Sequence, residues 1–118
     1  MSDEFIKIAT NEINDDISQM EHNLESCRND DDIKLNADKF QKHTHKIKGL
    51  APMMGKEELG NLSSLLDELF KKSIQGEHFD GILEILFETI PAMKNSIRKP
   101  DYDLGSIINQ IKNILSKQ

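Results

Sequence analysis

Apolar residues in this chain return at every third or fourth position, and they nowhere sustain the strict alternation of a strand. That period commits the chain to helices whose apolar seams must be buried against one another. Five segments carry it. The first runs from about Asp3 to Cys27, with Ile6, Ala9, Ile13, Ile17, Met20 and Leu24 on its seam. Ser2 is placed to cap it, and Asp3 and Glu4 suit the positive end of its dipole. The acidic run Asp30, Asp31, Asp32 breaks the pattern and is suited to cap a second helix. That helix carries Ile33, Ala37, Phe40, Thr44, Ile47, Ala51 and Met54, with Gly55 as its stop. A third opens at Glu57 and Glu58, holds Leu59, Leu62, Leu65, Leu66, Leu69 and Phe70, and closes at Gly76.

The fourth segment spans about Phe79 to Ile97, with Ile82, Leu86, Ile90, Met93 and Ile97 on one face and Pro100 beyond its end. Asp101 or Asp103 caps a short fifth, bearing Ile107, Ile108, Ile111, Ile114 and Leu115. All connections are short, so neighbouring helices are expected to run antiparallel. The expectation is an all-α fold: an up-and-down helical bundle of four core helices plus a fifth C-terminal helix, one domain over residues 1–118. Pro52 and Pro91 fall inside helical patterns, where a proline costs about 3 kcal/mol and frees a carbonyl one turn back. Pro52 therefore kinks the second helix or ends its regular part near Ala51, and Pro91 kinks the fourth.

Composition narrows the function. Fifteen Lys and Arg against 21 Asp and Glu give a net charge of −6, which disfavours nucleic acid as a partner. Trp is absent and six residues are aromatic, too few for a base-stacking platform. The single cysteine, Cys27, rules out a disulfide framework within the chain and is expected to be buried. No apolar run approaches the roughly 18–20 residues that span a bilayer, and the opening residues do not read as a signal peptide. A cytoplasmic, monomeric domain without a membrane partner is expected.

Against this acidic background, residues 39–48 read KFQKHTHKIK, with four lysines, two histidines and no carboxylate. At 100° per residue the seam of the second helix centres about 125° from His45, so His45 faces solvent or a shallow groove. Lys48 and Gly49 lie one turn on, and Lys42 one turn back. A mid-helix glycine costs about 1 kcal/mol relative to alanine, which points to a need for close approach at Gly49. A free imidazole titrates near 6.5, so about three quarters of it is neutral and nucleophilic at pH 7. Phosphoryl transfer needs mostly positioning and charge stabilisation. One lysine about 4 Å from a phosphate charge supplies on the order of 4 kcal/mol before desolvation.

His45-Lys46-Ile47-Lys48-Gly49, with Gly55 and Leu59 downstream, resembles the His-x-x-Lys-Gly signature of histidine-containing phosphotransfer (Hpt) domains. The stretch from His45 to Leu69, and Ile82 to Glu88, is similar to the phosphotransfer domain of the chemotaxis kinase CheA. The resemblance implies that His45 accepts a phosphoryl group and passes it to an aspartate of a receiver domain. It also implies that Lys48 holds the phosphate, and that Gly49 leaves room for the partner. The implied partners are a histidine kinase catalytic domain and a response-regulator receiver domain, in two-component phosphorelay signalling, with chemotaxis as one setting. Many such domains support the imidazole with a second histidine and a glutamate on the facing helix. The matching positions here are Ser64 and Asp67, which favours a general phosphorelay role over self-phosphorylation within a CheA-type kinase. Lys42, Pro52 and Met53 join Gly49 on the expected docking surface, Met53 as an adaptable apolar rim.

The chain shows no phosphate-cradling glycine loop and no nucleotide motif, so it is read as a phosphoryl carrier without an ATP site of its own. No cofactor is implied. His43 and His45, two residues apart, point to opposite sides of a helix, and His22 and His78 show no ligand partners, so no metal site is expected. The alternative is a helical interaction bundle that does not take up phosphate.

Overall fold

The computed structural model describes residues 2–117, and six helices account for most of them. They are α1 (Asp3–Glu25), α2 (Asp30–Leu35), α3 (Ala37–Met53), α4 (Glu57–Ile74), α5 (Ile82–Arg98) and α6 (Gly105–Ser116). Among the described residues there is no strand, as the period required. Ser2 caps α1 by accepting from the Phe5 N–H, and Cys27 is buried just past its end. Ile6, expected on the seam, is exposed.

The count of helices differs from five because the second expected helix is two. Asn36 turns its side-chain amide back onto the Asp32 carbonyl at 2.8 Å, and its backbone leaves the helical region at φ −109°, ψ 14°. This is the local competition with helix bonding that asparagine offers. The seam nevertheless continues across the break, with Ile33, Ala37, Phe40, Thr44, Ile47 and Ala51 all buried. Capping also differs in detail. Asn29, not the acidic run, caps α2 by accepting from the Asp32 N–H. Asp30 instead reaches α5, its two carboxylate oxygens accepting from the Gly81 and Leu83 N–H groups, both at 2.9 Å. That cap, with Gly81 at φ 84°, starts α5 at Ile82 rather than Phe79.

The helix α3 packs on α1 to one side and α4 to the other, α1 also meets α5, and α6 lies against α4 and α5. Pro52 of α3 meets Gly60 of α4, and His45 of α3 meets Asp67 of α4. Seven residues back along one helix match seven on along the other, so this pair is antiparallel. The turn between them is a glycine-terminated one: Gly55, at φ 81°, donates to the Pro52 carbonyl at 3.0 Å and Lys56 donates to Ala51 at 2.9 Å. The helix thus runs past Pro52 to Met53. Pro52 also fits the neighbouring helix. A Cβ at Gly60 would stand 2.7 Å from Pro52 Cγ, so only glycine admits the ring this close. Below the polar residues the pair is held by Phe40 and Phe70, whose rings stack with centroids 5.3 Å apart. No helix among the described residues is long and apolar enough to cross a membrane.

Candidate functional site

The polar residues that α3 and α4 present to each other gather on one carboxylate. Asp67 has a side chain only 2% exposed. Gln41 donates to its Oδ1 at 2.7 Å. Lys48 and Lys71 place their ammonium groups 3.3 and 3.2 Å from its Oδ2. His45 Nδ1 lies 3.5 Å from Oδ1, and the His45 side chain is 60% exposed. Burial pushes the Asp67 carboxyl up, but the donors from Gln41, Lys71 and Lys48 outweigh it and hold the group below its ordinary 3.8. Asp67 is therefore an anion at neutral pH. Two lysines against one aspartate leave a surplus of one positive charge beside the imidazole.

This geometry has a chemical consequence. With Nδ1 turned toward a carboxylate, the proton of a neutral imidazole is favoured on Nδ1, and the lone pair then resides on Nε2. Among the described residues nothing bonds to Nε2. An exposed imidazole nucleophile, backed by an anion and flanked by ammonium groups, is equipped to attack an electrophile that carries negative charge.

Most of the residues singled out by sequence are here. His45, Lys48 and Asp67 come together. Gly49 is exposed one turn on, and a Cβ there would meet nothing within 4 Å. The fold itself does not require glycine at that position. Lys42 and Met53 are exposed on the same helix. Pro52 is exposed too, although its ring lies against Gly60, so it serves the helix pair as well as the surface. Ser64 does not join the site. It is exposed and lines a groove with Asn61, Leu65, Ile108 and Lys112, between α4 and α6, and no hydrogen bond links it to His45.

Two members went unread in the sequence, Gln41 and Lys71. Each was accessible in principle, since Gln41 precedes His45 by four residues and Lys71 follows Asp67 by four. A third residue, Asp16 of α1, engages the other histidine. His43 Nδ1 stands 2.9 Å from Asp16 Oδ1, and Lys46 pairs with the same oxygen at 3.5 Å and with Glu12 at 2.7 Å. The bond with Glu12 holds the Lys46 ammonium above its ordinary 10.5, against a smaller opposing effect of burial. So His43 and His45 do lie on opposite sides of α3, each with an aspartate. The carboxylate-free run of residues 39–48 receives its counter-ions from other helices.

His78 has neighbours that the sequence reading did not supply. Its ring and the carboxylates of Asp30 and Asp80 bring ligand-type atoms within 4.8 Å of one another. Both oxygens of Asp30 already accept N–H bonds at the start of α5, and His78 Nε2 bonds Asp80 Oδ1 at 2.9 Å. Capping and a local hydrogen bond account for that cluster. Compared with family models, curated proteins and solved structures, the chain matches none.

Proposed function

We propose that the chain is a histidine phosphotransfer domain. In this reading His45 receives a phosphoryl group from a histidine kinase or a phosphorylated receiver and delivers it to an aspartate of a response-regulator receiver domain. The observation that carries the reading is the half-exposed His45, with Nδ1 toward buried Asp67 and Nε2 unengaged, beside the Lys48 ammonium. The His-x-x-Lys-Gly resemblance supports it independently of the geometry. In the same reading the helices form an up-and-down bundle. In this reading Lys42, Gly49, Pro52 and Met53, all exposed on α3, form the surface on which a receiver docks.

The roles follow from the chemistry. The Nε2 lone pair attacks phosphorus in line with the departing group, and the N–P bond forms as the donor's bond breaks. The Nδ1 proton stays facing Asp67, which stabilises the positive charge that develops on the ring. Lys48 offsets charge on the transferring oxygens, which is what phosphoryl transfer asks of a protein. The sequence shows no nucleotide motif, so in this reading the phosphoryl group comes from a partner.

The test is intact-mass analysis after incubation with phosphoramidate. Wild type is expected to gain a single acid-labile phosphoryl group, and His45→Gln none, with unchanged circular dichroism. Lys48→Ala is expected to slow uptake more than it lowers the melting temperature. A folded wild type that takes up nothing would remove the phosphotransfer reading and leave an interaction bundle in its place.

A further inference from the structure

We infer that Lys71 is a second phosphate-binding residue of the site, held on Asp67 until a phosphoryl group arrives on His45; this rests on His45 being the acceptor. Asp67 already receives Gln41 on one oxygen and Lys48 on the other. A single carboxylate is neutralised by one lysine. Lys71 adds a second ammonium to the same Oδ2 at 3.2 Å, which makes the cluster cationic before any substrate is present. A plain surface pair four residues apart on a helix has no such setting: the neighbouring Lys72 pairs with Glu68 at 3.7 Å, one lysine to one exposed carboxylate. The Lys71 side chain is 50% exposed and flexible, so its ammonium is free to leave Asp67. Gln41 remains bonded to the other oxygen of the buried carboxylate when it does.

The transfer balances without a further reactant. Phosphoramidate at neutral pH carries an ammonium-type nitrogen on a phosphoryl group of two negative charges. The Nε2 lone pair forms the new N–P bond, the old P–N bond breaks, and its electron pair leaves with ammonia. The product is a phosphoryl group of two negative charges on a ring that keeps its Nδ1 proton beside Asp67. Two negative charges are matched by two lysines, Lys48 and Lys71. Lysine suits this role, being a compact point charge on a flexible stem.

The experiment compares wild type, Lys71→Gln, Lys71→Arg and Lys72→Gln as full chains labelled with phosphoramidate. The readouts are the labelling rate and the pH titration of the phosphohistidine phosphorus signal by nuclear magnetic resonance. A cation at the phosphate favours its doubly charged form. Lys71→Gln should therefore label about fivefold more slowly, the equivalent of a partly exposed ion pair, and titrate about half a pH unit higher. Lys71→Arg should restore the titration, and Lys72→Gln, with the same change in net charge, should match wild type. A Lys71→Gln phosphate that titrates as in wild type overturns the inference, whatever the rate, because the lysine then acts only through Asp67. That result leaves His45 as acceptor intact. Absence of any adduct on wild type overturns both readings together.

Discussion

The Oδ1 atom of Asp67 lies 3.5 Å from Nδ1 of His45, between a buried carboxylate and a largely exposed ring. The distance is that of an ion pair, longer than a good hydrogen bond. Gln41 holds the stronger position on the same oxygen, at 2.7 Å. Asp67 is thus anchored by other residues and available to the imidazole, which lets it orient the ring without depending on it. Removal of His45 is consequently expected to cost little stability.

Asp67 should make stability fall in acid. Its folded value lies below 3.8, so its contribution is fully present above that pH and is lost as pH falls through the folded value. Asp67→Asn keeps the shape and an acceptor for Gln41 but removes the charge facing two lysines. The variant should be less stable than wild type by about 1–2 kcal/mol near neutrality. In thermal melts across the acid range the difference should shrink below pH 3.8. A difference that is constant with pH would contradict the assignment of charge to this carboxylate.

The two histidines of α3 should separate by assay. Asp16 is buried, and its Oδ2 has no hydrogen-bond partner among the described residues. Loss of His43 leaves this carboxylate with only the half-exposed Lys46. His43→Ala should destabilise by about 1–3 kcal/mol, as expected when a buried acceptor loses its hydrogen-bond partner. Its phosphoramidate labelling, measured well below the melting temperature, should match wild type. His45→Gln should show the reverse pattern. Chemical denaturation and intact mass, run on both variants, decide it.

Gly60 and Pro52 form a packing pair that a double-mutant cycle should reveal. In Gly60→Ala the new methyl meets the proline ring at 2.7 Å. Overpacking costs about 1–3 kcal/mol, while alanine returns about 1 kcal/mol of helix propensity. The net effect should be a loss of about 1 kcal/mol. With Pro52→Ala already present the clash is gone and Gly60→Ala should stabilise. Equal effects in the two backgrounds would show that the contact does not limit the site.

Gly49 distinguishes docking from chemistry. Among the described residues, a Cβ there meets nothing within 4 Å. Gly49→Ala should therefore stabilise by up to about 1 kcal/mol and label with phosphoramidate as wild type does. Gly49→Leu should label normally as well, yet transfer to a receiver domain more slowly. Unimpaired transfer by the leucine variant would remove Gly49 from the docking surface.

Much of the fold was legible in the chain because helical period is a local property. The seam Ile33, Ala37, Phe40, Thr44, Ile47, Ala51 could be read without knowing what covers it, and so could the exposure of His45 on the opposite side. The break at Asn36 escaped the same reading. It preserves the spacing of the seam and depends on which acceptor one amide chooses. Among the site residues, His45 and Lys48 share one helix, and their proximity follows from a turn of that helix. Asp67 was reached by resemblance alone.

The partners of these residues were decided by tertiary structure. Gln41 and Lys48 of α3 reach Asp67 of α4 because the two helices pack antiparallel, in a register where Pro52 seats on Gly60, whereas Lys71 reaches the same carboxylate along α4 itself. Asp16 reads in sequence as one more acidic residue of α1, and its burial against His43 follows from how α1 rotates onto α3. Sequence period determines which face of each helix is apolar. The rotation and register that bring charged groups into contact depend on all the seams packing at once, and no single segment carries that information.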